Sequence, residues 1–111
     1  MKKNLIIFLL LAFSCAKIFA QSNAISVFVS GKDGYKSFRI PAIVKAKNGE
    51  LLAFCEGRVN GSGDFGNIKI VLKRSQDNGK TWSALQIVAS NDSLQAGNPA
   101  PVVDLTDQRF P

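Results

Sequence analysis

The chain has 111 residues, 46% of them hydrophobic, with 14 Lys and Arg against 8 Asp and Glu and no histidine. Without histidine, this segment cannot supply a Ser-His-Asp triad, a Cys-His pair or an imidazole metal ligand, and the residues that remain call for no metal or cofactor. The cations beyond residue 20 are scattered from Lys32 to Arg109 instead of forming a run, which argues against nucleic-acid or anionic-lipid binding by bulk charge.

Residues 1 to 20 read as a secretory signal: Lys2 and Lys3, an apolar run from Leu5 to Phe13, and Ile18-Phe19-Ala20 before Gln21. Cleavage is expected after Ala20, and it lowers the formal charge from +6 to +3 by removing Lys2, Lys3 and Lys17. A competing reading lipidates Cys15, since Ser14 is suitably small, although Ala12 and Phe13 fit that pattern poorly. The apolar run is too short for a stable membrane span, which needs about 20 residues. The product is then periplasmic, displayed on the outer surface or secreted. After cleavage Cys55 is the lone thiol, expected to pack as a small buried hydrophobe.

From Ile25 onward, short β-rich runs alternate with turn residues at intervals of roughly 8 to 12, the spacing of an all-β sandwich, barrel or propeller. Ala42–Lys45 and Leu51–Phe54 flank Asn48-Gly49, which predicts a tight hairpin turn with positive φ at its centre. Residues 57 to 67 form a long Gly-rich loop, the kind of segment on which ligand chemistry is carried. A strand over Ile68–Arg74 is expected to bury Ile68, Ile70 and Leu72 and to expose the face of Lys69, Val71 and Lys73 in part. Shorter strands are expected at Leu85–Ala89 and Pro101–Asp104.

Between those strands lies Ser75-Gln76-Asp77-Asn78-Gly79-Lys80-Thr81-Trp82. Asp77 can accept backbone N–H bonds, Gly79 can take a positive φ and Trp82 can pack inward. The segment matches at every defined position the Asp-box pattern Ser-x-Asp-x-Gly-x-Thr-Trp of propeller blades. Ser75, Asp77, Gly79, Thr81 and Trp82 are therefore assigned a structural role.

Three more stretches bear on chemistry: Phe38-Arg39-Ile40-Pro41, Glu56-Gly57-Arg58, and Asp64 in the Gly-rich loop. Singly, Arg39 reads as a surface ion-pair residue, Arg58 as a solvated cation and Asp64 as a turn former. In this order and followed by an Asp box, they resemble the opening of bacterial-type sialidases. That resemblance implies a six-bladed β-propeller, of which this chain holds about the first blade or slightly more. Residues 21–111 are then an incomplete N-terminal part of the propeller domain, and Arg109-Phe110-Pro111 reads as a truncation.

The resemblance also assigns roles. Arg39 is one of three arginines gripping the carboxylate of sialic acid, a task suited to the guanidinium fork. Arg58 lies in the pocket near the sugar's 4-hydroxyl, with Glu56 as its ion-pair support if the strand persists that far. Asp64 is the acid/base. Pro41 is expected to hold Ile40 extended and so to aim Arg39. Gly97-Asn98-Pro99-Ala100-Pro101 resembles a later segment whose asparagine lines the pocket, which places Asn98 there; a plain Asn-Pro turn is the other reading.

The implied nucleophile is a tyrosine helped by a glutamate, and it is not identifiable here, because Tyr35 precedes the Arg-Ile-Pro motif. The implied activity is that of a glycoside hydrolase, an exo-alpha-sialidase that removes terminal sialic acid with retention from sialylated glycoproteins, glycolipids or oligosaccharides. This piece alone is expected to be inactive. A glycan-binding Asp-box propeller without catalysis and a trans-sialidase are the alternatives.

Overall fold

The structure, a computed structural model, describes residues 23–106. Residues 1–22, which include the stretch read as a secretory signal and Cys15, and residues 107–111 lie outside the described part. Four strands, β1 (Ser37–Lys45), β2 (Leu51–Arg58), β3 (Ile68–Ser75) and β4 (Gln86–Ala89), form one antiparallel sheet in the order β1-β2-β3-β4. Among the described residues no helix is long and apolar enough to cross a membrane.

The β1–β2 turn differs from the expected two-residue form. Gly49 N donates to Ala46 O at 2.9 Å, Ala46 N donates to Glu50 O at 2.8 Å, and Gly49 is the residue with positive φ, +89°. Asn48 stays at negative φ and its Oδ1 accepts from Glu50 N at 3.0 Å. This is a longer loop closed by one left-handed glycine, a common alternative to the paired-positive turn.

β3 buries side chains on both faces: the face expected to be partly solvated keeps Lys69 and Lys73 half-buried but buries Val71, and on the other face Ile70 is half-buried instead of buried. Ile68 and Leu72 are buried on one side, and Val71, at 0% exposure, is buried on the other with Tyr35 and Cys55. The cause lies upstream of β1. Residues 23–36 are not strand; they fold back so that Phe28, Tyr35 and Phe38 layer over that face, with ring centroids 5.3 and 5.5 Å apart. Burying a side chain such as Val71 contributes about 1.5–3 kcal/mol. Lys73 remains on this face by extending its ammonium to Asp33 Oδ2 at 2.8 Å and over the Phe28 ring.

Tyr35 lies directly on β2 at Gly57, where a Cβ would come within 2.7 Å of the ring. The glycine of Glu56-Gly57-Arg58 is thus a space requirement of the core. No strand forms over Pro101–Asp104; Pro99 and Pro101 lack the N–H that a ladder would use.

The Asp-box turn closes as its residue types dictate. Ser75 Oγ donates to Asp77 Oδ1 at 2.9 Å and accepts from Gly79 N at 2.8 Å. Asp77 also accepts from Thr81 N at 2.9 Å and from Thr81 Oγ1 at 2.5 Å. Asn78 and Gly79 both take positive φ, and Trp82 folds over the turn to donate Nε1–H to Gly79 O at 3.1 Å.

Candidate functional site

Alternation along β2 places Glu56 and Arg58 on the face opposite Cys55 and Gly57. Arg39 pairs with Glu56 across β1–β2, whereas the next registered pair is Ala42 with Phe54, so Ile40 and Pro41 together oppose one residue. This is a β-bulge. It lets Phe38 enter the aromatic layer and Arg39 join Glu56, while Ala42 and Val44 keep their register downstream.

The bulge corrects the expectation for Ile40. Its φ is +54°, not extended, a costly conformation for a β-branched residue, on the order of 1–3 kcal/mol. Pro41 occupies a bulge position where no ladder donor is needed. Across from it, the Cys55 thiol donates to Arg39 O at 3.0 Å. Burial pushes the Cys55 thiol up to about 11, so it remains a neutral donor.

The Gly-rich loop wraps around one guanidinium. Arg58, 3% exposed, donates through Nη1 to Ser62 O (2.6 Å), Gly63 O (2.9 Å) and Asp64 Oδ1 (2.7 Å). On its other side Nε and Nη2 donate to Glu56 Oε2 at 3.1 and 2.6 Å. Ser37 Oγ anchors the base of the loop by donating to Gly61 O at 2.6 Å. The ion pair expected between Glu56 and Arg58 is present because β2 does run through Arg58.

Arg39 joins the same carboxylate, with Nη1 at 3.1 Å from Asp64 Oδ1 and 3.3 Å from Ser62 O. Arg39 is half-exposed and Asp64 more so. The Arg58 hydrogen bond, then the charges of Arg39 and Arg58, hold the Asp64 carboxyl below its usual range. For Arg58, burial opposes the charged form, but the bonds to Glu56 and Asp64 outweigh it and raise its pKa. Asp64 is therefore an anion in this arrangement, and Arg39 Nε and Nη2 meet no acceptor among the described residues. Chemically, the cluster can offer a guanidinium edge to an acidic ligand next to a carboxyl group able to exchange a proton.

Asn98 reaches this face by its backbone: Asn98 N donates to Glu56 Oε1 at 2.8 Å, and its φ is +55°. Residues Arg39, Arg58, Asp64 and Asn98 are thus brought together around Glu56, whereas Ser75, Asp77 and Trp82 remain in their own turn. The Glu56–Asn98 link and the Cys55–Arg39 bond have no sequence signal, since neither spacing nor residue type joins positions 42 or 16 apart.

The class of structure is thus an all-β sheet with two arginines and a carboxyl group gathered on one face. No family model matches the chain. It is 42% identical over 77 residues to an exo-alpha-sialidase of Arthroderma benhamiae and 44% identical over 77 residues to one of Aspergillus fumigatus, in each case 64% of this chain and 19% of the relative. A sialidase of Micromonospora viridifaciens is 33% identical over 82 residues, 74% of this chain and 12% of that protein. Over this segment the chain belongs with the sialidases. It spans about a fifth of the length of the fungal relatives.

Proposed function

We propose that this chain forms part of the substrate site of an exported exo-alpha-sialidase, a retaining glycoside hydrolase acting on terminal sialic acid of glycoconjugates, with the sheet as one blade of a six-bladed propeller. The reading is carried by one observation: Arg39 and Arg58 converge on a single oxygen of Asp64, at 3.1 and 2.7 Å, on one face of the sheet. The exposed edge of Arg39 suits the substrate carboxylate, which is ionised at all physiological pH values. Arg58 is committed to Glu56 and the loop, and therefore acts as a fixed donor beside the sugar.

Asp64 is the proton donor to the departing oxygen and later the base for water. In the resting site it lacks that proton. A carboxylate arriving at Arg39 competes with Asp64 for Nη1, and closure over the sugar desolvates the aspartate; both changes favour the protonated form. Residues 1 to 20 supply export, as read from their signal pattern.

The test uses the full-length protein and two sialosides, one with an aryl leaving group and one with a sugar. Asp64→Ala should lower kcat/KM on the sugar-linked substrate by about 10²–10⁴-fold, the range of general acid catalysis. The loss should be much smaller on the aryl substrate, whose leaving group needs little protonation. Equal activity of mutant and wild type on the sugar-linked substrate would remove Asp64 from the mechanism.

A further inference from the structure

We infer that Glu56 is a positioning residue that sets Arg58 and the Asn98 segment against one another, and that Gly97 has to be glycine for it to do so. The inference rests on the substrate-binding reading of Arg58 and Asn98 given above. Glu56 is 1% exposed and uses both carboxylate oxygens: Oε2 accepts from Nε and Nη2 of Arg58, and Oε1 accepts from Asn98 N at 2.8 Å. Neutralising Arg58 needs only the first of these. The second fixes a backbone position 42 residues further along the chain.

That position is one where the chain needs to be held. Ala96 N donates to Ile68 O at 2.8 Å, Ile68 N donates to Leu94 O at 3.4 Å, and Ile68 bridges Gln95 in parallel. Beyond Ala96 this pairing stops, and two residues on the Asn98 N–H meets Glu56. Asn98 has φ +55° and precedes Pro99, a combination that the backbone disfavours and that persists only where its surroundings enforce it.

Gly97 is the contact that makes the fit exclusive. A Cβ there would lie 2.6 Å from Glu56 Oε1 and 2.9 Å from Gln95 Nε2. The Gln95 amide ends a flexible side chain and can swing away. Glu56 cannot, because Arg58 grips its other oxygen. Gly97 does not have a left-handed φ, so alanine is acceptable to the backbone, and Glu56 is the obstacle it meets. Glutamine at position 56 would fit the space but present an NH₂ group either to Arg58 or to the Asn98 N–H, both of which are donors.

The experiment compares wild type, Gly97→Ala, Asn98→Ala and the double variant in the full-length protein. Gly97→Ala leaves the Glu56–Arg58 pair chemically intact, and Asn98→Ala keeps the backbone N–H that Glu56 accepts. Hydrogen exchange at the Asn98 backbone amide should accelerate about tenfold or more in Gly97→Ala, while amides of β2 and β3 keep their protection. Glu56→Gln should expose the same amide.

In turnover of a sialoside, Gly97→Ala should lower kcat/KM roughly tenfold to a hundredfold, the scale of a small misplacement. On the Asn98→Ala background the same substitution should have little further effect, because the side chain it misplaces is gone. A purely structural role predicts equal penalties on both backgrounds. That result, or unchanged exchange at the Asn98 amide, overturns the inference. If Asn98→Ala alone matches wild type, Asn98 is removed from the substrate contacts, and the exchange measurement still decides whether Glu56 holds the segment.

Discussion

Arg58 is charged, almost fully buried and surrounded by acceptors from two directions, Glu56 on one side and the loop on the other. Such a residue is stable in place and costly to remove. Replacing it by leucine leaves the Glu56 carboxylate buried without its cation, and should destabilise the full-length protein by about 3–5 kcal/mol, read as a shift in denaturation midpoint. A loss below about 1 kcal/mol, the range of exposed pairs, would mean that the pair is solvated in solution. The Arg58–Glu56 pair was legible in the sequence because strand alternation puts residues two apart on one face. The position of Arg39 was legible only in part: its motif was plain, but the left-handed Ile40 and the Cys55 thiol that meets Arg39 O arise from a bulge that residue preferences argue against.

At the scale of elements, two Asn-Gly pairs behave differently. Asn78-Gly79 adopts positive φ at both residues because Ser75 and Asp77 collect the N–H groups around it, whereas at Asn48-Gly49 one left-handed residue suffices. The dipeptide alone did not distinguish them; the side chains two to four residues before did.

The bonds to Asp77 from Thr81 lower its pKa to about 2 from 3.8. A carboxyl group depressed in the fold adds stability that is complete above its ordinary pKa and lost as pH falls through the lower value. Wild type should therefore melt above Asp77→Asn at pH 5. The gap should close between pH 4 and pH 2. A gap that is constant with pH would show that the carboxylate form is not what the turn uses.

The whole sheet carries more apolar surface than it covers. Ile43, Ile87, Val88 and Leu94 are each more than half exposed, and a meander of four strands with one aromatic layer closes a core on little more than one side. Residues 21–111 purified alone should give no cooperative melt and no release of sialic acid; a sharp thermal transition with turnover would refute this. The all-β class and the strand spacing were legible from the start. The burial of Val71 was not, since it depends on residues 23–36 folding back, and Tyr35 seating on Gly57 requires knowing which strand lies beneath the ring.

That seat has a consequence for how the strand can vary over time. On β2, Cys55 and Gly57 answer to the aromatic layer, while Glu56 and Arg58, interleaved with them, answer to the Gly-rich loop and the Asn98 segment. A change at one set is felt in the packing of the aromatic layer, and a change at the other in the placing of the Gly-rich loop and the Asn98 segment. Two structural constraints are thus written into alternate letters of one short word.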